Sequence, residues 1–339
     1  MIDWLTLRLY GTEANIEAGR VISVDADGCI EWQTPKRLAV KGSHEATVSL
    51  RAMPHDGTVE ISGNPAKWFQ GHNLFGSNDI GELARAFARS VMRAAGFQLP
   101  QQADDLIARG IVLVSRVDLT DSWDFGTRPR AVAAVRSISE FGHLKHRGRG
   151  SLLAEGTCYF GKGSRRLSAK AYAKGLELVK HALPDDIDNR AELFELAQGL
   201  VRFEFTLRAM WLKDRQLDVL QNWSKTGVAP AELHSELMAG LNLSDATMRD
   251  TKTLEGLSPR LQLAYDAWSS GADLRAILPA RTFYRYRRQL LPLGIDLAIK
   301  RPRTESNVIP LRVVLTGKPL EVPSWAKGTP LYFEPRAAA

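Results

Sequence analysis

Three segments of the chain place a single carboxylate between two apolar residues: Val59-Glu60-Ile61, Val117-Asp118-Leu119 and Phe203-Glu204-Phe205. This alternation predicts β-strands, because neighbouring side chains on a strand point to opposite faces of the sheet. The apolar residues would then face a core, and each acid would lie on the other face. If the three strands share one sheet, the acids converge on its open side.

Similar patterns extend the prediction over most of the first 215 residues. Helices are predicted over 79–97, with Asn78 or Asp79 as the N-cap, and over 130–141. Further strands are predicted over 4–10, 47–50, 58–62, 111–120, 157–160, 166–173 and 200–207. Two helices between sets of antiparallel strands predict an α+β fold, in which helices cover one face of an antiparallel sheet and the other face stays open.

The pattern becomes helical after Asp214, and the last 39 residues are rich in Pro and Arg. We therefore expect three parts. They are a sheet domain over 1–215, a helical region over 216–300 and an extended tail over 301–339.

Composition excludes several classes of protein. The 339 residues are 44% hydrophobic and 24% charged, which is typical of globular chains and not of disordered or collagenous ones. Cys29 and Cys158 have no CxxC spacing, which favours a reducing cytoplasm. The chain opens without a secretion leader and has no apolar run long enough for a bilayer, so we expect a soluble protein with no membrane partner.

Positive charge is concentrated in one part of the sequence. The net charge is only +7, but the segment from Gly126 to Lys180 contains twelve Lys/Arg and three Asp/Glu. A local excess of this size favours binding to a phosphate backbone. A solvated basic surface without a partner is the alternative interpretation.

The three strand acids also have two interpretations. Carboxylates that converge on one face could bind a hard divalent cation, Mg²⁺ or Mn²⁺. Alternatively, each acid pairs with a basic neighbour, since Arg116 and Arg202 lie two residues before Asp118 and Glu204 and share their faces.

A further strand carries a tyrosine between two lysines, in the sequence Lys170-Ala171-Tyr172-Ala173-Lys174. Alternation places Lys170, Tyr172 and Lys174 on one face. Nearby cations favour the phenolate form of a tyrosine, which is the nucleophilic form, and Lys174 could neutralise a phosphate or protonate a leaving oxygen. A half-buried tyrosine between solvated lysines explains the same pattern.

Residues 261–296 are predicted to form three short helices, over 261–268, 273–278 and 280–291, which resemble a helix-turn-helix. On the last helix, Arg281, Arg285 and Arg288 would share an outward face suited to DNA phosphates or guanine edges. An ordinary amphipathic helix in a bundle is the alternative.

Several stretches resemble the gene II replication initiators of filamentous bacteriophages. They include the run Pro65-Ala66-Lys67 followed by Gln70-Gly71-His72-Asn73, and they occur in order along the whole chain. The matching stretches are residues 1–3, 62–76, 114–118, 199–204, 278–286 and 307–311.

The resemblance implies an HUH-like fold, as in rolling-circle replication nickases. Such initiators nick one DNA strand at the origin, stay joined to the 5′ phosphate through a tyrosine, and later reseal the displaced strand. Tyr172 and Lys174 match the family's tyrosine and lysine. The resemblance implies metal ligation at Asp118 and Glu204.

Other roles follow from the same resemblance. Glu60 and His72 are candidates for a third metal ligand, because the chain lacks the His-hydrophobe-His motif of many nicking initiators. Basic side chains that would contact DNA phosphates are Arg116, Lys170 and Arg202 on the sheet, with Arg281, Arg285 and Arg288 on the last helix.

The expected partners are double-stranded origin DNA, the displaced single strand, and a host helicase and DNA polymerase, all in the host bacterial cytoplasm. Two alternatives remain open. One is a non-catalytic protein that binds the origin or single-stranded DNA, and the other is a metal-dependent nuclease that leaves a free 5′ phosphate.

Overall fold

A nine-stranded antiparallel sheet forms the centre of the N-terminal part of the chain. The computed structural model describes residues 1–12, 16, 18–53, 57–154, 156–243, 258–269, 271–293, 295–299, 315 and 317–334. Its strands are β1 (Ile2–Tyr10), β2 (Arg20–Val24), β3 (Ile30–Pro35), β4 (Leu38–Lys41), β5 (Thr47–Met53), β6 (Thr58–Gly63), β7 (Leu113–Asp124), β8 (His143–Leu144), β9 (Gly148–Arg149), β10 (Ser151–Ala154), β11 (Thr157–Phe160), β12 (Leu167–Ala173), β13 (Leu200–Arg208) and β14 (Leu241–Asn242).

The order of strands in the large sheet is β10-β11-β12-β13-β7-β1-β6-β5-β4. The chain's first strand therefore lies near the middle of the sheet, beside β7. Strands β2 and β3 pair as a separate hairpin, and β14, β8 and β9 form a small third sheet.

The helices range from 4 to 15 residues. They are α1 (Pro65–Gln70), α2 (Ile80–Ala94), α3 (Gln101–Ala108), α4 (Arg128–Phe141), α5 (Lys174–Lys180), α6 (Arg190–Gln198), α7 (Ala209–Asp214), α8 (Leu220–Thr226), α9 (Pro230–Ala239), α10 (Pro259–Ser269), α11 (Leu274–Ile277) and α12 (Ala280–Leu290). Asp79 caps α2 by accepting a hydrogen bond from the Glu82 amide, as its position predicts.

One face of the sheet is apolar and is covered by helices. Leu5, Leu7, Val117 and Phe203 are almost fully buried there. They pack with residues of α2, α4, α8 and α9 in one continuous core. The α+β prediction is confirmed, because the alternating apolar residues face this core and the alternating polar residues face the other side.

The helices after residue 215 pack in two different places. Leu220 and Trp223 of α8 and Leu233 of α9 belong to the core of the sheet. Helices α10 to α12 pack on a separate apolar cluster that includes Trp268, Phe283 and Leu290. The division into parts over 1–215, 216–300 and 301–339 stays a prediction.

The three C-terminal helices lie where the sequence predicted them. Phe283 and Leu290 of α12 face inward, and Arg281, Arg285 and Arg288 are exposed. Residues 307–311, which resemble the phage initiators, lie outside the described residues.

Residues 317–334, here called the returning segment, pack back onto the sheet domain. The Phe333 ring stacks on Phe69 with a centroid distance of 3.9 Å. The Leu320 amide donates to the Ser122 carbonyl at 2.7 Å, and the Trp123 indole donates to the Gly317 carbonyl at 3.1 Å. This part of the expected tail is thus tied to the sheet.

Replacing Phe333 with alanine should weaken this attachment. Loss of a half-buried aromatic side chain and its stacked partner should lower the free energy of unfolding by about 1–2 kcal/mol. Urea denaturation measures this change, and limited proteolysis should cut faster within residues 317–334. The control Val24→Ala, at a position 58% exposed on β2, should behave as wild type. Equal stability and cleavage for Phe333→Ala would contradict the attachment.

Candidate active site on the open sheet face

Residues that lie opposite each other on neighbouring strands form rows across the open face. Tyr172 on β12 pairs with Arg202 on β13, and Arg202 pairs with Ser122 on β7. In the next row Lys170 pairs with Glu204. Asp118 lies one row further, opposite Thr206. The register therefore brings Tyr172, Lys170, Glu204 and Asp118 together, as the sequence suggested.

Tyr172 is 6% exposed and lies between two lysines. The Lys170 and Lys174 ammonium groups are 4.9 Å and 5.9 Å from the centre of its ring. Burial nevertheless raises the pKa of Tyr172 well above 10, although Arg202 opposes this shift. The expected phenolate is therefore not the resting form, because desolvation outweighs the cations.

Lys174 occupies a different position from the one predicted. Strand β12 ends at Ala173, and Lys174 is the first residue of α5. Its side chain is fully buried; Nζ donates to Asn73 Oδ1 at 2.9 Å and forms a short ion pair with Glu177. Burial, with the nearby charge of Arg202, lowers the pKa of Lys174 to about 7. This amine can therefore exchange a proton near neutral pH.

Asp3 and Asn73 complete the surroundings of Lys174, and sequence reasoning did not identify them as site residues. The Asp3 carboxylate accepts hydrogen bonds from Asn73 at 2.7 Å and from Asn64 at 2.9 Å. A shift of register between Ile2 and Trp4 of β1 leaves Asp3 out of the regular alternation. Burial alone would raise the pKa of Asp3, but the charges of Arg202 and Lys174 hold it below its usual value.

In the sequence, only the resemblance to the phage initiators pointed to these residues. Asp3, Asn64 and Asn73 all lie in the stretches 1–3 and 62–76 that matched the phage initiators. The pattern of strand acids could not locate them, because two of them are in loops and the third is in an irregular part of β1.

Arg202 also differs from the expectation that it contacts DNA. Its side chain is fully buried; it donates to the Leu74 carbonyl at 2.8 Å and to Ser122 Oγ at 3.1 Å. One nitrogen lies 3.9 Å from Asp3. The loop before α2 covers this end of the sheet, so the guanidinium holds the site together from beneath the surface.

Asp118 and Glu204 are buried carboxylates with basic partners. Arg116 forms a bidentate pair with Asp118, with Nε 2.8 Å from Oδ1. Lys170 Nζ lies 2.9 Å from Glu204 Oε2. Burial raises the pKa of Asp118 despite Arg116. Burial, with the charges of Asp118 and Asp3, raises the pKa of Glu204 to about 8.

This donor set fits a divalent cation bound by few protein ligands. Carboxylates with raised pKa values gain from an added cation, and Mg²⁺ commonly binds one or two carboxylates together with water and substrate phosphate. The buried Thr120 hydroxyl, opposite Glu204, has no hydrogen-bond partner within the part of the chain that the structure describes. Among the described residues, no three His, Cys, Asp or Glu side chains form a ready-made metal cage.

Glu60 lies apart from the other two acids. It faces Arg8, four residues along β1 from Trp4, the residue opposite Asp118. Four strand residues span about 13 Å, and β6 and β7 are two strand spacings apart, so Glu60 cannot share an ion with Asp118. Its carboxylate instead contacts Arg37 at 2.9 Å and Arg51 at 3.0 Å.

His72 is buried and both of its ring nitrogens are used. Nδ1 accepts a hydrogen bond from the Leu74 amide at 3.2 Å, so Nε2 donates to the Leu331 carbonyl at 2.9 Å. Burial lowers the pKa of His72 to about 4. His72 therefore orients its loop and holds the returning segment.

The remaining predicted DNA contacts fall into two groups. Arg116 and Lys170 are partly exposed on the open face. Arg281, Arg285 and Arg288 are exposed on α12, in the separately packed C-terminal unit.

The basic segment does not form one surface. Helix α4, which carries Arg128, Arg130 and Arg136, packs on the helical face of the sheet through Val135 and Ile138. Lys170 and Lys174 belong to the opposite, open side. A charge excess along the sequence is thus divided between two faces.

Tyr172, Lys170, Glu204 and Asp118 lie on one sheet face, and Lys174 lies beside them at the start of α5. A family model for the N-terminal domain of the gene II replication-associated protein matches residues 1–226, and a model for the C-terminal domain of the same protein matches residues 259–332. The chain belongs to this family of replication-associated proteins, which confirms the predicted gene II resemblance.

Individual relatives give the same result. The chain is 34% identical over 337 residues to the replication-associated protein of Enterobacteria phage I2-2, an alignment that covers 96% of each chain. It is 27% identical over 172 residues to that of Enterobacteria phage M13, covering 46% of this chain and 40% of the relative.

A structural likeness was found to a rolling circle replication initiator protein from Geobacillus stearothermophilus. The identity is 14% and the TM-score 0.28, over 64% of this chain and 78% of that one.

Among the residues described, no helix combines the length and apolar character needed to span a bilayer.

The stability of the fold should depend on the ionisation of Lys174. Its pKa is about 7 when folded, against 10.5 ordinarily, so the unfolded chain binds more protons between these values. Stability from this group should therefore rise with pH above 7, by at most about 1.4 kcal/mol per pH unit. Urea denaturation at pH 7, 8 and 9 should show wild type gaining stability relative to Lys174→Met.

The matched control is Lys180→Met, at an exposed lysine of the same helix. Its stability should follow wild type at all three pH values. If stability changed with pH equally in wild type and Lys174→Met, burial would not lower the pKa of Lys174.

Proposed function

We propose that the chain is a DNA nicking and joining enzyme that initiates and terminates rolling-circle replication of phage DNA. The observation that carries this proposal is the register of β12 against β13. It places Lys170 and Glu204 one row from Tyr172, and Lys174 at the start of α5 lies 5.9 Å from the Tyr172 ring. Membership of the gene II family of replication-associated proteins supports a role in replication.

In the proposed reaction, the Tyr172 oxygen attacks the phosphorus of one phosphodiester. The new bond joins tyrosine to the 5′ phosphate, and the bond to the 3′ oxygen breaks with its electron pair leaving on that oxygen. Reversal of the same steps joins the strand again without ATP, since the phosphotyrosine retains the energy of the broken ester. Tyr172 must lose its proton and the 3′ oxygen must gain one.

Lys174 is suited to both proton movements. Its pKa of about 7 lets neutral amine accept a proton from Tyr172, and ammonium then protonate the leaving oxygen. Asn73 and Glu177 hold Nζ in place. Lys170 and Arg116 are positioned to offset the charge that develops on the phosphate.

Asp118 and Glu204 would hold a divalent cation, Mg²⁺ or Mn²⁺. A cation bound there polarises a phosphate oxygen and stabilises negative charge on it. Glu60 is not included in this ligand set, because three arginines surround it two rows away.

The partners of this reaction are proposals of the same kind. They are double-stranded origin DNA, the displaced single strand, and a host helicase and polymerase in the bacterial cytoplasm. The exposed arginines of α12 suit binding of the origin duplex, with the sheet domain cutting it.

Tyr172→Phe should abolish covalent attachment, because it removes only the attacking oxygen and keeps the buried ring. The test incubates protein and Mg²⁺ with a supercoiled plasmid carrying the replicon's origin, and then looks for a nick and for protein bound at its 5′ end. Tyr159→Phe changes the tyrosine opposite Lys170 on β11 and should retain the adduct.

The outcomes separate the alternatives. An adduct formed by Tyr172→Phe would refute the nucleophile. A wild-type nick with a free 5′ phosphate would indicate hydrolysis, and origin binding without any nick would indicate a non-catalytic protein.

Asp118→Asn and Glu204→Gln should each reduce nicking by about 100-fold or more, because each removes a negatively charged ligand. They should also weaken Mn²⁺ binding measured by electron paramagnetic resonance. Glu60→Gln should leave Mn²⁺ affinity as in wild type. Loss of Mn²⁺ affinity in Glu60→Gln alone would contradict the two-carboxylate site.

A further inference from the structure

Three arginines converge on the buried Glu60 carboxylate and form what we call the arginine cluster. Arg8 on β1 and Arg51 on β5 lie directly opposite Glu60 on either side, and Arg37 reaches it from the turn before β4. The contacts to Glu60 are 3.5 Å for Arg8, 2.9 Å for Arg37 and 3.0 Å for Arg51.

We propose that the arginine cluster binds backbone phosphates of the DNA that flanks the cleaved phosphodiester. This inference rests on the proposed function, since it assigns a second contact to the same substrate. The ligand chemistry is a phosphodiester, from either a duplex or a single strand.

Arg37 and Arg51 carry more N–H donors than the Glu60 carboxylate can accept. A guanidinium carries five N–H donors, and Arg37 and Arg51 share a single Glu60 oxygen, Oε1. The Arg37 side chain is 48% exposed, while Glu60 is only 5% exposed. Glu60 thus fixes the guanidiniums from below, and a phosphate could bind them from the solvent side.

Rows of paired strand residues on the open face lead from Tyr172 to the arginine cluster. The rows that follow Tyr172 on the open face contain Glu204, then Asp118, then Arg116 with Arg208, and finally Arg8 with Glu60 and Arg51. Four rows of two residues span about 27 Å along the strands, and β6 lies four strand spacings, about 19 Å, from β12. Together these displacements place the cluster about 33 Å from Tyr172, or about ten base pairs of duplex at 3.4 Å each.

The row between Asp118 and the cluster is also suited to a phosphate backbone. Arg116 and Arg208 lie opposite each other, and the row continues through the hydroxyl side chains of Thr6, Ser62 and Ser49. Arg37 donates to Ser49 Oγ at 3.0 Å, which joins this row to the cluster. Basic and hydroxyl groups therefore occupy the row between Asp118 and the cluster.

The arginine cluster adds positive charge to the open face. The α4 arginines, which belong to the most basic part of the sequence, lie instead on the helical face. The arginines of the cluster come from strands and turns elsewhere in the sequence. They supply cationic groups on the same side as Tyr172.

The test measures DNA binding and does not require nicking. The probes are a fluorescent 30-base-pair duplex and a 30-nucleotide single strand of mixed sequence, titrated with the full chain at several salt concentrations. Arg37→Gln/Arg51→Gln should raise Kd about tenfold at 0.1 M salt for at least one probe. It should also reduce the slope of log Kd against log salt by about 1 to 2.

The matched control is Arg93→Gln/Arg109→Gln, which removes the same charge from exposed positions outside the open face. It should keep the wild-type salt slope. An equal loss in the control, or unchanged binding in Arg37→Gln/Arg51→Gln, would overturn the proposal and leave the cluster as a structural ion network.

A second variant keeps the proposal testable if the double variant fails to fold. Arg37→Gln alone changes a side chain that is half exposed, so the fold should tolerate it, and it should reduce the salt slope by about 1. A wild-type slope in this folded variant would overturn the proposal. Failure of Tyr172→Phe to block the adduct would refute only the proposed nucleophile, because the binding result is obtained independently.

Discussion

The buried guanidinium of Arg202 holds together the end of the sheet where Tyr172 lies. It is fully buried, and its partners come from three separate parts of the chain: the Leu74 carbonyl, the Ser122 hydroxyl and the Asp3 carboxylate. A buried cation is stable only when such partners replace its water shell. One of these partners positions a further group, since Asp3 accepts a hydrogen bond from Asn73 and Asn73 accepts one from Lys174. The geometry around Tyr172 therefore depends on one charge that never reaches the surface.

The electrostatics of this site favour a neutral tyrosine at rest. Desolvation raises the pKa of Tyr172 more than the surrounding cations lower it, so the hydroxyl keeps its proton at rest. The same burial lowers the pKa of Lys174 towards neutrality. One physical cause thus shifts the two groups in opposite directions, because an acid and an amine are charged in opposite protonation states.

Much of the fold could be predicted from alternation alone. The strand acids Asp118 and Glu204 fall on one open face because side-chain direction along a strand is fixed by period two. The same rule placed Glu60 on that face but could not give its row, since register depends on which strands pair. Alternation also failed at Lys174, where a helix begins at once after β12, and at Asp3, where β1 is irregular. The charge of a residue does not show whether its side chain is buried. Arg202 was therefore expected at the surface, but its side chain is buried.

The returning segment changes how the three C-terminal helices are attached. The chain leaves the sheet domain after β14 and is fixed to it again from residue 317, where Trp123, Ser122 and Phe69 receive it. In topological terms α10 to α12 are an insertion anchored at both ends, not an appendage on a single linker. Two anchors restrict the volume available to the unit and raise its effective concentration near the sheet. In the proposed complex, the exposed arginines of α12 and the open sheet face would bind one DNA molecule. The second contact would then be intramolecular and would cost correspondingly less entropy.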